Sequence, residues 1–306
     1  MRLNDFILLT VIFVSAGMAI YFPDLCIPLQ SYPLYLMMFL MFLSFSRINF
    51  DSLLDTSSGS VERLLLLVSF KLVILPAILY WIANWLIPDF AIPVLLLSGI
   101  STGVVAPFIA NLLETDVAPV LRMVIATSLI APFSLPALLK ILAGAEVDIP
   151  LESMVRLLAL VIFVPMVAVI LARRFCMDLL DRILVFHFPV SLIIFGTINL
   201  AVFSKYSHFF FQSPGVILSC VLLAYGLSAI YYLVGFALVK KGEPKEKLAS
   251  GISFAIMNNV LVIVFSSHFF GPLSPTLAAV YMFPFFTMII PVKLLFSRSK
   301  CLSEKI

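Results

Sequence analysis

Ten stretches of this 306-residue chain each run for about 20 residues with almost no charge, the length an α-helix needs to cross the hydrocarbon core of a bilayer. They cover residues 6–20, 29–45, 64–87, 91–113, 117–142, 154–172, 183–203, 214–239, 248–270 and 272–296. The apolar residues are continuous rather than alternating, which excludes a membrane β-barrel. In lipid each backbone N–H and C=O must find its partner within the protein, and a helix provides that internally. Composition agrees: 63% of residues are hydrophobic and 11% charged, against roughly 25% charged in soluble domains. The net charge of +3 is scattered over loops and forms no patch suited to nucleic acid. Cys26, Cys176, Cys220 and Cys301 lie far apart without CxxC spacing, so neither a metal site nor a disulfide framework is expected. Arg2 ahead of an apolar run ending in Ser15-Ala16-Gly17-Met18-Ala19 gives the first stretch a weaker alternative as a signal peptide.

Loop charge sets the expected orientation. With the N-terminus inside, fifteen Lys and Arg residues fall on the inner side and three (Lys140, Arg156 and Lys205) on the outer side. Cytoplasmic loops are enriched in Lys and Arg. The expectation is a multi-pass protein of the cell (plasma or inner) membrane with both termini cytoplasmic, its surroundings the lipid bilayer.

Five spans on either side of residue 145 would place two halves, 1–145 and 146–306, in opposite orientations, the inverted-repeat plan of many secondary transporters. A faint echo at an offset of 155 residues supports it: Pro136 falls on Pro291, and Ser101-Thr102-Gly103-Val104-Val105 falls on Ile256-Met257-Asn258-Asn259-Val260. Both stretches sit mid-span and are rich in helix breakers or amides. Ser98, Gly99, Ser101, Thr102, Gly103 and Pro107 occupy span four; Ser250, Gly251, Ser253, Asn258 and Asn259 occupy span nine. Gly lowers helix propensity and Pro removes a backbone hydrogen bond. Unwound backbone at membrane depth exposes carbonyls and helix ends able to hold an ion or an anion. The competing explanation is that small residues let helices pack closely.

Lys71 is the one charged residue near the centre of a proposed span, where insertion costs about 3 kcal/mol. Such a residue marks a functional site, or else snorkels to an interface. Arg63 lies eight residues away, about 12 Å along a helix, so snorkelling would be strained.

The run 34–87, with its Met/Phe/Leu-rich span, the loop Arg47-Ile48-Asn49-Phe50 and mid-span Pro76, resembles the second and third spans of the bile acid:sodium symporter family. Ala255-Ile256-Met257-Asn258-Asn259-Val260-Leu261 and Ser267-His268-Phe269-Phe270-Gly271-Pro272-Leu273 are similar to its ninth span and the start of its tenth; Asp116-Val117-Ala118 resembles the turn into its fifth. Auxin-efflux-type and arsenite-efflux-type carriers look like more distant relatives. The resemblance implies an all-α, ten-helix fold. Spans 3–5 and 8–10 would form a core domain and spans 1, 2, 6 and 7 a panel domain, with broken spans four and nine crossing. It further implies symport of an organic anion with sodium. The chain departs from the family pattern at the sodium ligands. The expected Ser-Asn pair falls on Ala106 and Pro107, the fifth-span hydroxyls on Val120 and Val124, and the glutamate on Phe254 or Ala255. The Gln-Asn pair becomes Asn258-Asn259, the His-Asn pair Phe285 and Phe286, and the third-span glutamine Lys71. The Lys71 ammonium is therefore expected where relatives hold sodium, which it would repel.

The candidate substrate- and ion-binding residues are Lys71, Ser101, Thr102, Gly103, Pro107, Asn111, Ser253, Met257, Asn258, Asn259 and Phe285, with no resident cofactor expected and with sodium, or a proton carried by Lys71, left open as the coupling ion. Thr197 and Asn199 either face the crevice or bond a neighbouring helix, and Asn111 either caps its helix or touches substrate. His187 and His268 fall near span ends, where a polar tip is ordinary. An intramembrane enzyme and a non-transporting sensor are the alternatives to a transporter of a small-molecule organic anion. The sequence offers no HExxH, no paired acids within a span and no phosphate loop for the first of these.

Overall fold

The computed structural model describes residues 3–46, 58–144, 150–212, 214–239, 242–288 and 291–292. The described chain is helical, with one isolated antiparallel bridge as its only β-type pairing. Helix α1 (Leu3–Tyr21) is followed by the short α2 (Pro23–Cys26), a 3₁₀ turn over Ile27–Ser31 and α3 (Pro33–Phe45). Proline opens both α2 and α3, a position where its missing N–H costs nothing. The chain turns by 68° between Pro23–Ser31 and Pro33–Phe45, so the stretch read as span two begins as a bent pair. Helix α4 (Ser58–Ser69) passes through a π-helical turn, Phe70–Ile74, into α5 (Leu75–Leu86).

After a 3₁₀ turn at Pro88–Phe90, the stretch read as span four divides into α6 (Ala91–Gly99) and α7 (Ala106–Leu112). Helix α7 ends in two turn bonds, Glu114 N–H to Asn111 O and Thr115 N–H to Ala110 O, with Glu114 at φ 55°. Helix α8 (Val117–Ala143) starts on an Asp116 cap that accepts from Ala118 N–H, and it stays continuous through Pro132 and Pro136. Helix α9 (Leu151–Phe175) follows, then α10 (Met177–Val185) and α11 (His187–Lys205). The seventh apolar stretch therefore starts at His187 rather than at 183, because non-helical Phe186 separates it from α10. Beyond α12 (Ser207–Gln212) and α13 (Pro214–Leu238), the stretch read as span nine divides into α14 (Pro244–Ala255) and α15 (Asn259–Phe269). The tenth stretch begins as α16 (Leu273–Val280) and α17 (Met282–Thr287); its expected continuation from 293 to 296 lies outside the described residues.

Five helices among the described residues are long and apolar enough to cross a membrane, and the bent pair raises this to six. They are Val61–Leu86, Val117–Ala143, Leu151–Phe175, His187–Lys205 and Gly215–Leu238. The remaining apolar stretches are interrupted or shorter, as at Pro88–Gly99, Asn259–Phe269 and Leu273–Phe285. Helices α1, α2, α3, α9 and α11 pack on one another, while α6, α7, α8, α13, α14 and α16 make their main contacts among themselves and with α4, α5, α15 and α17. Helix α8 lies along α9, and α15 packs on α3, α9 and α11, which joins the two sets. Helices α13 and α14 approach so closely that a Cβ on Gly235 would stand 2.6 Å from Gly251 Cα, an approach that small residues permit.

Candidate functional site

The two interrupted helices meet at their breaks. Past Gly99 the chain extends at Ile100, and past Ala255 it extends at Ile256. Thr102 pairs antiparallel with Met257. Gly103 N–H donates to Ile256 O at 2.8 Å, and Asn258 N–H donates to Ser101 O at 3.1 Å. Part of the bare backbone at the breaks is thus satisfied by its counterpart in the other break. Pro107 sits in the first turn of α7, where a missing N–H is tolerated.

A helix leaves its last four carbonyls without intrahelical donors, yet at the end of α14 each carbonyl finds one. Ile256 N–H bonds Ile252 O at 2.9 Å. Thr102 Oγ1 donates to Ser253 O at 2.8 Å. Lys71 Nζ donates to Phe254 O at 2.9 Å, and Tyr281 Oη donates to Ala255 O at 2.8 Å. The Lys71 side chain is 0% exposed. Its ammonium also lies 5.6 Å from the Tyr231 ring centroid and 5.9 Å from that of Phe254. A cation at a helix C-terminus is stabilised by up to ~2 kcal/mol in partly buried geometry, and a desolvated cation–π contact adds about 2 kcal/mol. These contacts replace the snorkelling alternative. No buried side chain among the described residues is a carboxylate, so the positive charge is balanced by peptide dipoles and ring faces.

Local sequence explains the position. Pro76 cannot donate into the ladder, and just before it the helix widens so that Leu75 N–H reaches back five residues to Phe70 O. Such π-turns occur frequently at functional sites, and this one carries Lys71.

The other candidates divide. Thr102 N–H donates to Thr127 Oγ1 at 3.0 Å, and Thr127 Oγ1 donates to Met123 O at 2.6 Å. Ser253 Oγ is turned back onto Ala249 O. Asn258 Oδ1 accepts from Leu261 N–H at 3.4 Å as the cap of α15, and its Nδ2 lies 3.7 Å from Met41 Sδ on α3. Asn259 is 3% exposed, and neither its amide nitrogen nor its oxygen has a partner; Ser101 Oγ is likewise buried and unpartnered. Buried polar groups are nearly always paired, so this is open hydrogen-bonding capacity beside the crossing. Asn111 is exposed on α7 together with Phe108, as is Val105 at the helix N-cap. Phe285 is buried on α17, away from the paired segments in sequence, and the side chain of Phe286 lies outside the described residues. Asn199 Nδ2 donates to Ser15 Oγ on α1, and His268 Nδ1 contacts Val264 O within its own helix.

Sequence reasoning missed Thr127, Tyr231 and Tyr281. The available signal was a hydroxyl or phenol inside an otherwise apolar span. Tyr281→Phe is expected to orphan the Ala255 carbonyl and lower stability by about 1–3 kcal/mol. Thermal unfolding in detergent checks this against Tyr225→Phe, whose hydroxyl meets Thr287 at an exposed site and should cost far less.

Apolar helices of spanning length, two of their neighbours interrupted and paired at their breaks, define a multi-pass helical membrane protein with a built crossing. The model of the sodium bile acid symporter family matches residues 33–213, more than half the chain, and the protein belongs to that family. Members of the family are transporters, so this is a membrane transporter of the bile acid symporter type. The matched region includes Lys71 and the first crossing segment; the second, with Phe254 and Tyr281, follows it. No curated protein matches.

Proposed function

We infer that this chain is a ten-span secondary transporter of an organic anion that runs without sodium, its ion replaced by the Lys71 ammonium. The carrying observation is the bond from Lys71 Nζ to Phe254 O at the negative end of α14, immediately before the crossing. A sodium ion beside that ammonium would be repelled, and no buried carboxylate among the described residues offsets the repulsion. The residues present therefore do not fit sodium at this place. The anion is drawn instead toward the N-terminus of α15, where the helix dipole is positive and Asn259 and Ser101 hold unused hydrogen-bonding groups.

The inverted-repeat reading, 1–145 against 146–306, gains support at the crossing. The bond from Gly103 to Ile256 becomes the bond from Asn258 to Ser101 when 155 is added to one member and subtracted from the other. The packing sets agree with a core of spans 3–5 and 8–10 moving against a panel of spans 1, 2, 6 and 7. The excess of Lys and Arg in the loops on one side supports a reading with both termini in the cytoplasm of a cell (plasma or inner) membrane.

Purified protein in liposomes tests the reading. Bile salts, keto acids and small amphipathic anions are screened first by thermal shift and then by flux. At least one anion should both stabilise the protein and cross with saturable kinetics in sodium-free buffer. Chemical turnover without flux would point to an enzyme, and binding without flux to a sensor.

A further inference from the structure

The geometry points to a latch between Lys205-Tyr206 and the far end of α15, which closes the substrate route at that end of the protein. The inference rests on the transport reading above and adds the element that gates it.

Helix α15 meets the panel set on three of its helices, packing on α3, α9 and α11, while α8 lies along α9. The N-terminus of α15 stands at the crossing and its C-terminus at the Lys205 end of α11. Within α15 Phe270 N–H satisfies Ser266 O at 2.8 Å, which leaves the later carbonyls to outside donors. Lys205 Nζ donates to Ser267 O at 3.1 Å. Tyr206 Oη donates to the same oxygen at 3.2 Å and approaches Phe270 O at 3.5 Å. The ammonium lies 5.4 Å from the Tyr206 ring centroid, so the two donors brace each other. Lysine thus serves a helix C-terminus for a second time in this protein, where its charge complements the dipole.

Three features separate this contact from ordinary packing. The donors come from one bundle and the acceptors from the other, so relative movement of the bundles must break the bonds. The donor end is tied to its own set: Gln30 Nε2 donates to Ser204 Oγ at 3.1 Å, linking the last turn of α11 to the 3₁₀ turn that precedes α3. The acceptor end is also locally closed, since Ser267 Oγ donates back to Val264 O at 2.8 Å. Lys205 itself remains exposed, so water can take over its hydrogen bonds when the latch opens. Bonds of this kind, made in one arrangement and exchanged for water in another, bias a two-state equilibrium without belonging to the substrate site.

The test is a spin-label distance measurement across the latch. Labels are placed at Leu25→Cys, 75% exposed on α2, and at Gly271→Cys, where a side chain meets no atom within 4 Å. The native cysteines are replaced by Ala. The otherwise wild-type protein should give one short distance. Lys205→Met combined with Tyr206→Phe should add a longer one, raising the open-to-closed ratio about tenfold. Lys205→Arg should keep the short distance. Tyr206→Phe alone preserves the ring and gives a smaller shift, a usable readout if the double variant fails to fold. An unchanged distribution in Tyr206→Phe and the double variant overturns the latch whatever the flux. A shifted distribution in a protein with no anion flux keeps the latch and overturns the transport reading.

Discussion

Lys71→Gln is expected to lower anion flux about 10- to 100-fold, the equivalent of losing one charge-assisted hydrogen bond of 1.5–3 kcal/mol. The wild type should transport equally well when sodium is exchanged for choline at constant ionic strength. Glutamine retains a donor for Phe254 O but carries no charge, so it separates the ammonium's electrostatic role from its geometric one. Without the ammonium, the negative end of α14 is left with a neutral amide oxygen and the Phe254 carbonyl, both hard ligands for an alkali cation. Sodium should therefore raise the melting temperature of Lys71→Gln but not of the wild type, by ligand linkage to the folded state. Potassium at the same concentration controls for ionic strength. Strong sodium dependence of flux in the wild type would end the built-in-cation mechanism. Lys71→Met is the harsher variant. It orphans a buried carbonyl as well as removing the charge, and is expected to fall below Lys71→Gln in thermal stability.

The helical content of the chain was legible because apolar runs of spanning length have few alternative folds in lipid. The breaks in the fourth and ninth apolar stretches were legible as well: Gly99, Gly103, Pro107 and the Asn258-Asn259 pair weaken helix locally, and the helices stop there. What fills a broken end was not legible. Phe254 lies 183 residues from Lys71, and Tyr281 lies 26 from Ala255. No periodicity reports which side chain reaches which carbonyl, because tertiary packing decides it. The expectation that both breaks offer their peptide groups to a guest needed revision for the same reason, since Gly103 and Asn258 spend their N–H groups on each other's segment. Free capacity beside the crossing is found in side chains, at Asn259 and Ser101. The bend before α3 and the separate α10 escaped because an apolar run records length but not the direction of its axis.

Gly103→Ala puts the crossing itself to the test. No glycine among the described residues has positive φ, so the backbone angle at this position suits alanine. The obstacle is space. A Cβ at Gly103 would stand 2.6 Å from Met257 O, 2.9 Å from Met257 C and 3.4 Å from Asn258 N. These are backbone atoms, which cannot rotate aside as a side-chain end can. The two segments must separate, stretching the bonds from Gly103 to Ile256 and from Asn258 to Ser101. Overpacking of this kind costs about 1–3 kcal/mol, and each weakened bond adds about 1 kcal/mol. Separation also draws Thr102 away from Ser253 O, which loosens the end of α14 that holds Lys71. A large fall in melting temperature and near-complete loss of flux are therefore expected together. Gly226→Ala is the matched control. It lies within α13 with no atom in reach of its Cβ, and alanine there should be neutral or stabilising by up to ~1 kcal/mol. Should Gly103→Ala melt with the wild type and still carry substrate, the paired segments would be a bystander, and the anion would have to pass elsewhere.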